Sequence, residues 1–173
     1  MKKFLLSTAF AVLATTLVVA QSTVVDISNK VKVTFPVKAD KGAGPVEGMN
    51  VFTTEVVNDK SYMGVSLDMS AMGLTADVIS AMGPMLFQEI KGGMMGKMMG
   101  AKITKEETTT FKGKSALYLE LNGSESQDSK LKGKKLCMYI FFIDATMHQL
   151  GVYGKNPTKE EEKEFFESTV IAG

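Results

Sequence analysis

The sequence has no arginine and no tryptophan, and it carries a single cysteine and a single histidine. Without arginine every basic side chain is a lysine ammonium, so the planar, two-pronged donor that best fixes phosphate or carboxylate is missing. Neither sign of charge is in excess, because 20 lysines stand against 19 acidic residues. The surplus of positive charge that nucleic-acid binding needs is therefore absent. Cys137, being alone, cannot form an internal disulfide, so a folded domain has to rest on its hydrophobic core. It sits inside the apolar run 136–142, where a buried, inert thiol is expected rather than a nucleophile. One cysteine and one histidine cannot complete a zinc ligand set. The Gly-x-Ser-x-Gly elbow of a serine hydrolase is also missing.

Only one long hydrophobic run is present, and it is at the start. Lys2 and Lys3 precede the apolar stretch 4–19, which ends at Ala20 before Gln21. Positive charge, a short apolar core and a small residue at the end form the pattern that a secretion machine recognises. Residues 1–20 are expected to be a cleavable signal peptide, which makes the protein secreted or periplasmic. A retained anchor is the competing reading, since the run approaches the length of a bilayer span. No cysteine lies near the cut, so lipid attachment is not expected. Cleavage leaves residues 21–173 as a single domain with 18 Lys against 19 acidic residues. No membrane span and no nucleic-acid partner are expected of it.

Beyond Gln21 most segments carry strand signals. Residues 30–35 alternate Lys or Thr with Val or Phe, and Pro36 ends them. Residues 39–48 hold three glycines and Pro45 and are expected to be a loop. Segments 50–57 and 62–69 could form a hairpin across 58–61. The period changes over 74–90, where Val78, Ile79, Met82, Leu86 and Ile90 share one side of a helix. Thr75 is a candidate N-cap, and Gly83-Pro84 must kink or split that helix. Residues 103–111, 115–121, 136–143 and 146–153 are further strands, with a long exposed hairpin loop or two frayed strand ends over 122–135 and a tight turn at Asp144-Ala145. A closing helix follows, capped by Asn156 ahead of Pro157 or, alternatively, by a Thr158–Glu161 capping box. The expected fold class is α+β: a largely antiparallel twisted sheet with a central helix region and a C-terminal helix packed on it. Regular β–α alternation is missing, which disfavours a doubly wound nucleotide-binding sheet.

Several of these segments, in this order, resemble the PsbP-like group of small α+β domains, which also takes in the Ran-binding Mog proteins. The likeness rests on the strand ending Val33-Thr34-Phe35-Pro36, the hairpin and the central helix. It continues through the Phe111-Lys112-Gly113-Lys114-Ser115-Ala116 turn and a late hairpin to the closing helix around Glu164-Phe165-Phe166-Glu167-Ser168. The resemblance implies an accessory or binding protein rather than an enzyme, and it transfers no defined site residue.

Two constellations are candidates for a site. Ten of the thirteen methionines fall between Met49 and Met99, and Met94, Met95, Met98 and Met99 are spaced as on a helical face. They could fill an irregular core, as flexible thioethers do well. They could instead form a pliable surface for a protein, a peptide or a hydrophobic ligand. A third reading is a soft thioether site for Cu(I), joined by His148 through the fold. Gly92, Gly96 and Gly100 make a small-residue stripe beside them that would permit a close approach. The second constellation is Asp144 with His148, which could serve a small hydrolase; the plain alternative is a histidine on the surface or on an edge strand. Gly96-Lys97 fails as a phosphate loop because Met98 stands where Ser or Thr is required. Glu120 with Glu125 and the run 160–164 are expected to be solvated acids. The sequence therefore points to an exported, non-enzymatic binding or accessory protein without a cofactor. Its expected contact residues are Met94, Met95, Met98 and Met99, with Cu(I) binding and hydrolysis as alternatives.

Overall fold

Two antiparallel sheets of unequal size and three helices make up the computed structural model, which describes residues 21–129 and 131–172. The expected leader, 1–20, lies outside the described residues. The main sheet has seven strands. From edge to edge they are β3 (Ala39–Ala43), β4 (Met49–Thr54), β5 (Lys60–Asp68), β9 (Thr146–Gly154), β8 (Lys135–Ile143), β7 (Lys114–Asn122) and β6 (Lys102–Phe111). The small sheet orders β1 (Thr23–Asp26), β2 (Val31–Phe35) and β10 (Val170–Ile171). Between β5 and β6 the chain forms α1 (Ala76–Met82) and α2 (Pro84–Lys97), and α3 (Lys159–Glu167) follows β9.

The central strands explain the layering. β7, β8 and β9 are apolar on both faces, which requires cover on both. Leu117, Leu119, Leu121, Leu136, Met138, Ile140 and Met147 point one way and join Phe87 of α2. Ala116, Phe141, Ile143, Leu150 and Val152 point the other way and meet Phe165 and Phe166 of α3 together with Ile27, Val31, Val33 and Phe35 of the small sheet. The main sheet is thus the middle of three layers.

Local chemistry sets the turns and caps. Asn58 and Asp59 both have positive φ (51° and 63°) and form the tip of the β4–β5 connection, closed by the Val57–Lys60 bridge. The hairpin expected across 58–61 is therefore tighter, with Lys60 already in strand. Thr75 caps α1, its hydroxyl accepting from Val78 N–H. Pro84 starts α2, which continues through the double glycine to Lys97. At α3 the capping box wins over Asn156: Thr158 Oγ1 accepts from Glu161 N–H and the Glu161 carboxylate accepts from Thr158 N–H.

Two expected loops carry more order than their composition suggests. Part of 39–48 is the edge strand β3, paired with β4 from Ala39↔Thr54 to Ala43↔Asn50. Segment 122–135 is folded in as well: Gly123 N–H donates to the Lys134 carbonyl at 2.8 Å, Gln127 N–H donates to the Met99 carbonyl at 2.8 Å, and Ser126 and Leu131 are buried. Gly100, with φ +83°, is the one glycine of the 92/96/100 stripe that makes a close approach, since a Cβ there would meet the Glu125 carbonyl oxygen at 2.2 Å. Gly92 and Gly96 face open space.

Candidate functional site

The four methionines do not share one surface. Met94, Met95 and Met98 pack against the cluster between α2 and the main sheet, alongside Met49, Met63, Met69, Met138 and Met147. Met99, just past the end of α2, is 55% exposed and Met85, at the start of that helix, 68%. Most of the segment thus fills a layer rich in thioethers, and Met99 and Met85 are left outside. His148 lies on the opposite face of the sheet with Leu150 and Val152, so a combined thioether and imidazole set for Cu(I) is not assembled.

Asp144 and His148 are not brought together either. Asp144 is at the surface, paired with Lys30 at 2.5 Å, and lines a small cavity with Ala76, Ile79, Phe87 and Phe142. His148 is neither superficial nor on an edge. It sits on β9 in the middle of the main sheet, is 0% exposed, stacks on Phe141 at 5.2 Å between centroids, and bonds Ser28 Oγ through Nε2 at 2.9 Å. Burial holds its pKa down at about 4. A ring sealed in this way cannot reach a substrate.

A more developed concave feature lies elsewhere, between α3 and the strands β6, β7 and β8, with a volume of about 490 Å³. Its floor is aromatic. Tyr139 of β8 stacks on Phe111 at 4.6 Å, lies 4.9 Å from Tyr118 of β7, and meets Phe166 of α3 edge-on at 4.9 Å. Charges line the walls in pairs. Lys105 stands 5.1 Å above the Tyr118 ring and 2.9 Å from Glu107, while Lys159 reaches Glu120 at 2.7 Å and Glu162 at 3.4 Å. Lys112 donates to the Glu167 carbonyl at 2.8 Å.

Period two explains how β6 serves both faces: Lys105, Glu107 and Thr109 turn to the cleft, whereas Glu106 turns the other way to bind Gln88 and Lys91 of α2. Below the floor the acids are satisfied from within. The Tyr118 hydroxyl donates to Glu120 at 2.9 Å, and the Cys137 thiol donates to Glu162, whose side chain is 8% exposed. Bonding to Lys159 lowers the Glu120 pKa, and bonding to Glu120 raises that of Lys159. Burial raises the Tyr118 phenol and pushes the Cys137 thiol up to about 12. Cys137 is therefore a protonated thiol at neutral pH, with no activated nucleophile character.

The cleft escaped sequence reasoning because its residues come from four elements spread between Lys105 and Glu167. One signal was present. Tyr118 and Glu120 alternate with Leu117, Leu119 and Leu121 in a strand that is otherwise apolar, and an acid in such a strand needs a partner brought by another element.

Helices on both faces of an antiparallel sheet, with the small sheet of β1, β2 and β10 beside the closing helix, define a layered α+β protein. The fold is PsbP-like. The chain is similar to the solution structure of cyanobacterial PsbP (CyanoP) from Synechocystis sp. PCC 6803, with a TM-score of 0.54 and 12% identity over 91% of this chain and 96% of that one. Weaker similarity extends to a crystal structure from Bacteroides thetaiotaomicron VPI-5482, with a TM-score of 0.46 and 12% identity over 83% of this chain and 45% of that one. It also extends to PA94, a protein of unknown function from Pseudomonas aeruginosa, with a TM-score of 0.41 and 12% identity over 81% and 85%. No protein-family model and no curated protein matches the chain.

Proposed function

We propose that the mature protein is an exported, non-enzymatic accessory protein that holds an extended segment of a partner protein in the cleft beside α3. The observation that carries this reading is the cleft itself: an aromatic floor bordered by Lys105, Glu107, Glu120 and Lys159, each already paired with another member. Aromatic rings offer contact area at little cost in conformational freedom. Exposed ion pairs are weak, so they exchange readily for equivalent pairs with a partner. The balanced signs favour a partner segment of mixed charge. The resemblance to the PsbP-like group also points to an accessory role. In this reading the inward methionines are packing residues, and Met99 is a peripheral contact.

Cross-linking in the native envelope tests it with two variants. Lys105→Glu together with Lys163→Glu, the latter on the α3 side of the cleft lining, is expected to abolish a specific cross-link at an unchanged melting temperature. Met94, Met95, Met98 and Met99 changed together to Gln are expected to lower stability first. A folded charge-reversal variant that still gives the wild-type cross-link would remove the cleft from consideration.

A further inference from the structure

We propose that His148 and Ser28 form an acid-released latch that holds the β1–β2 hairpin against the main sheet. Ser28 occupies the hairpin turn, and its Oγ accepts from both Lys30 N–H at 3.2 Å and Val31 N–H at 3.1 Å. With both lone pairs engaged, the hydroxyl has only its proton left to offer, and His148 Nε2 lies 2.9 Å away to accept it. The imidazole is thereby fixed as the neutral tautomer with its proton on Nδ1. That nitrogen faces the Thr146 backbone, a contact that favours the protonated ring but is outweighed by burial, and it makes no hydrogen bond among the described residues.

Among the described residues no charged side chain is placed to receive an imidazolium. The groups turned to the ring are Phe141 from β8, stacked on it, Ser66 from β5, directly opposite in register, and Ser28 from the turn. Ser66 has committed its proton to the Ile27 carbonyl at 2.5 Å. The charged side chains of the adjoining turns, Lys30 and Asp144, pair with each other at the surface, and Lys32 pairs with Asp26 at 3.2 Å. A proton on Nε2 would therefore face the Ser28 hydroxyl proton and place a cation in a fully buried site without a counter-charge.

The turn is also tied by the Ser66 hydroxyl to the Ile27 carbonyl, by the Lys30–Asp144 pair and by the Ala172 N–H to the Lys30 carbonyl at 2.8 Å. The strands of the hairpin are held by the pairing of β2 with β10 and by packing. Ile27 and Phe35 settle over Gly64 of β5, where a Cβ would lie 2.9 Å from the Ile27 side chain and 3.2 Å from the Phe35 ring. Ser168 ties Thr34 of β2 to the end of α3 through bonds of 3.2 Å in each direction. Protonation strikes the turn, at the end of the hairpin away from Ser168. Neutral histidine favours the closed hairpin, so the latch holds fully above about pH 6.5 and is lost as the pH falls toward 4.

The protein has one histidine, so its imidazole signals assign themselves in NMR. Hydrogen exchange, corrected for its intrinsic pH dependence, is followed at Ile27, Ser28 and Val31 from pH 7.5 to pH 4. Their protection is expected to fall by up to about 150-fold over that window, about half the limiting factor set by a pKa moving from 6.5 to about 4, because the closed form is itself half protonated at pH 4, while β7 and β8 stay more protected. His148→Gln, which can still accept from Ser28 but does not titrate, is expected to retain hairpin protection at pH 4. If that variant does not fold, Ser28→Ala is expected to lower hairpin protection tenfold or more already at pH 7. Unchanged hairpin protection in the wild type, an equal fall in β7 and β8, an equal loss in His148→Gln, or no effect of Ser28→Ala would each overturn the latch.

Discussion

Under α3 the main sheet meets aromatic rings; under α2 it meets thioethers. The first layer is built from rigid pieces with defined angles: Phe165 lies 5.4 Å from Phe35 and 5.1 Å from Tyr62, and Phe111, Tyr139 and Phe166 interlock beside them. Its helix carries a capping box, and Glu161 also binds Lys60 of the main sheet. The second layer sets unbranched, adaptable methionines among the leucines of the sheet, beneath a helix with Gly92, Gly93 and Gly96 in it, none of which meets a neighbour at its missing Cβ. Rigid packing suits a wall that has to present a cleft of fixed shape. Flexible packing fills the space opposite without fixing its details.

The largest expected effect breaks the rigid side. Phe165→Ala removes a ring that is 3% exposed and touches three other aromatic rings, and is expected to cost about 3–5 kcal/mol in denaturant unfolding. A cost below about 2 kcal/mol would mean that the ring layer collapses around the cavity as readily as a thioether layer.

Glu161→Gln comes next. Bonding to Lys60 and Thr158 holds the Glu161 carboxyl at about 2, below its ordinary value of 4.5. Because the folded pKa is the lower one, the carboxylate adds stability above pH 4.5, and that stability is lost as the pH falls toward 2. The side chain is about one-third exposed, so solvent screening reduces the expected loss at pH 7 to about 1–2 kcal/mol. Wild type and variant are expected to converge at pH 2, and a constant difference across that range would assign the effect to packing instead.

Strand positions and the α1–α2 break were legible because they depend on local properties: period-two alternation, and a proline that cannot continue a helix. Layering was legible only in part. The run Leu136-Cys137-Met138-Tyr139-Ile140-Phe141-Phe142-Ile143 has no solvated face, and that is the mark of a strand covered twice. The same logic places His148 inside, since it shares a face with Leu150 and Val152. A histidine in a central strand and one on an edge nevertheless look alike until the strand order is known. The methionine spacing hid the outcome for another reason: α2 ends at Lys97, so the helical spacing does not carry through Met98 and Met99, and past the helix end Met98 packs inward while Met99 faces out. The cleft was the least legible feature, because Lys105, Tyr118, Tyr139 and Lys159 meet only through tertiary folding.

The smaller effects sharpen the flexible side. Gly92→Ala and Gly93→Ala place a methyl group in open space on α2, and each is expected to raise stability by about 0.5–1 kcal/mol, seen as a higher melting temperature. A gain of this sign has no counterpart under α3, where the helix contains no glycine. Met98→Leu is the most discriminating of the small changes because it conserves volume while trading a thioether for a branched, stiffer side chain. If the layer adapts, the cost stays below about 1 kcal/mol. If Met98→Leu costs more than about 2 kcal/mol, the thioethers are as closely fitted as the rings, and the contrast between the two faces of the sheet disappears.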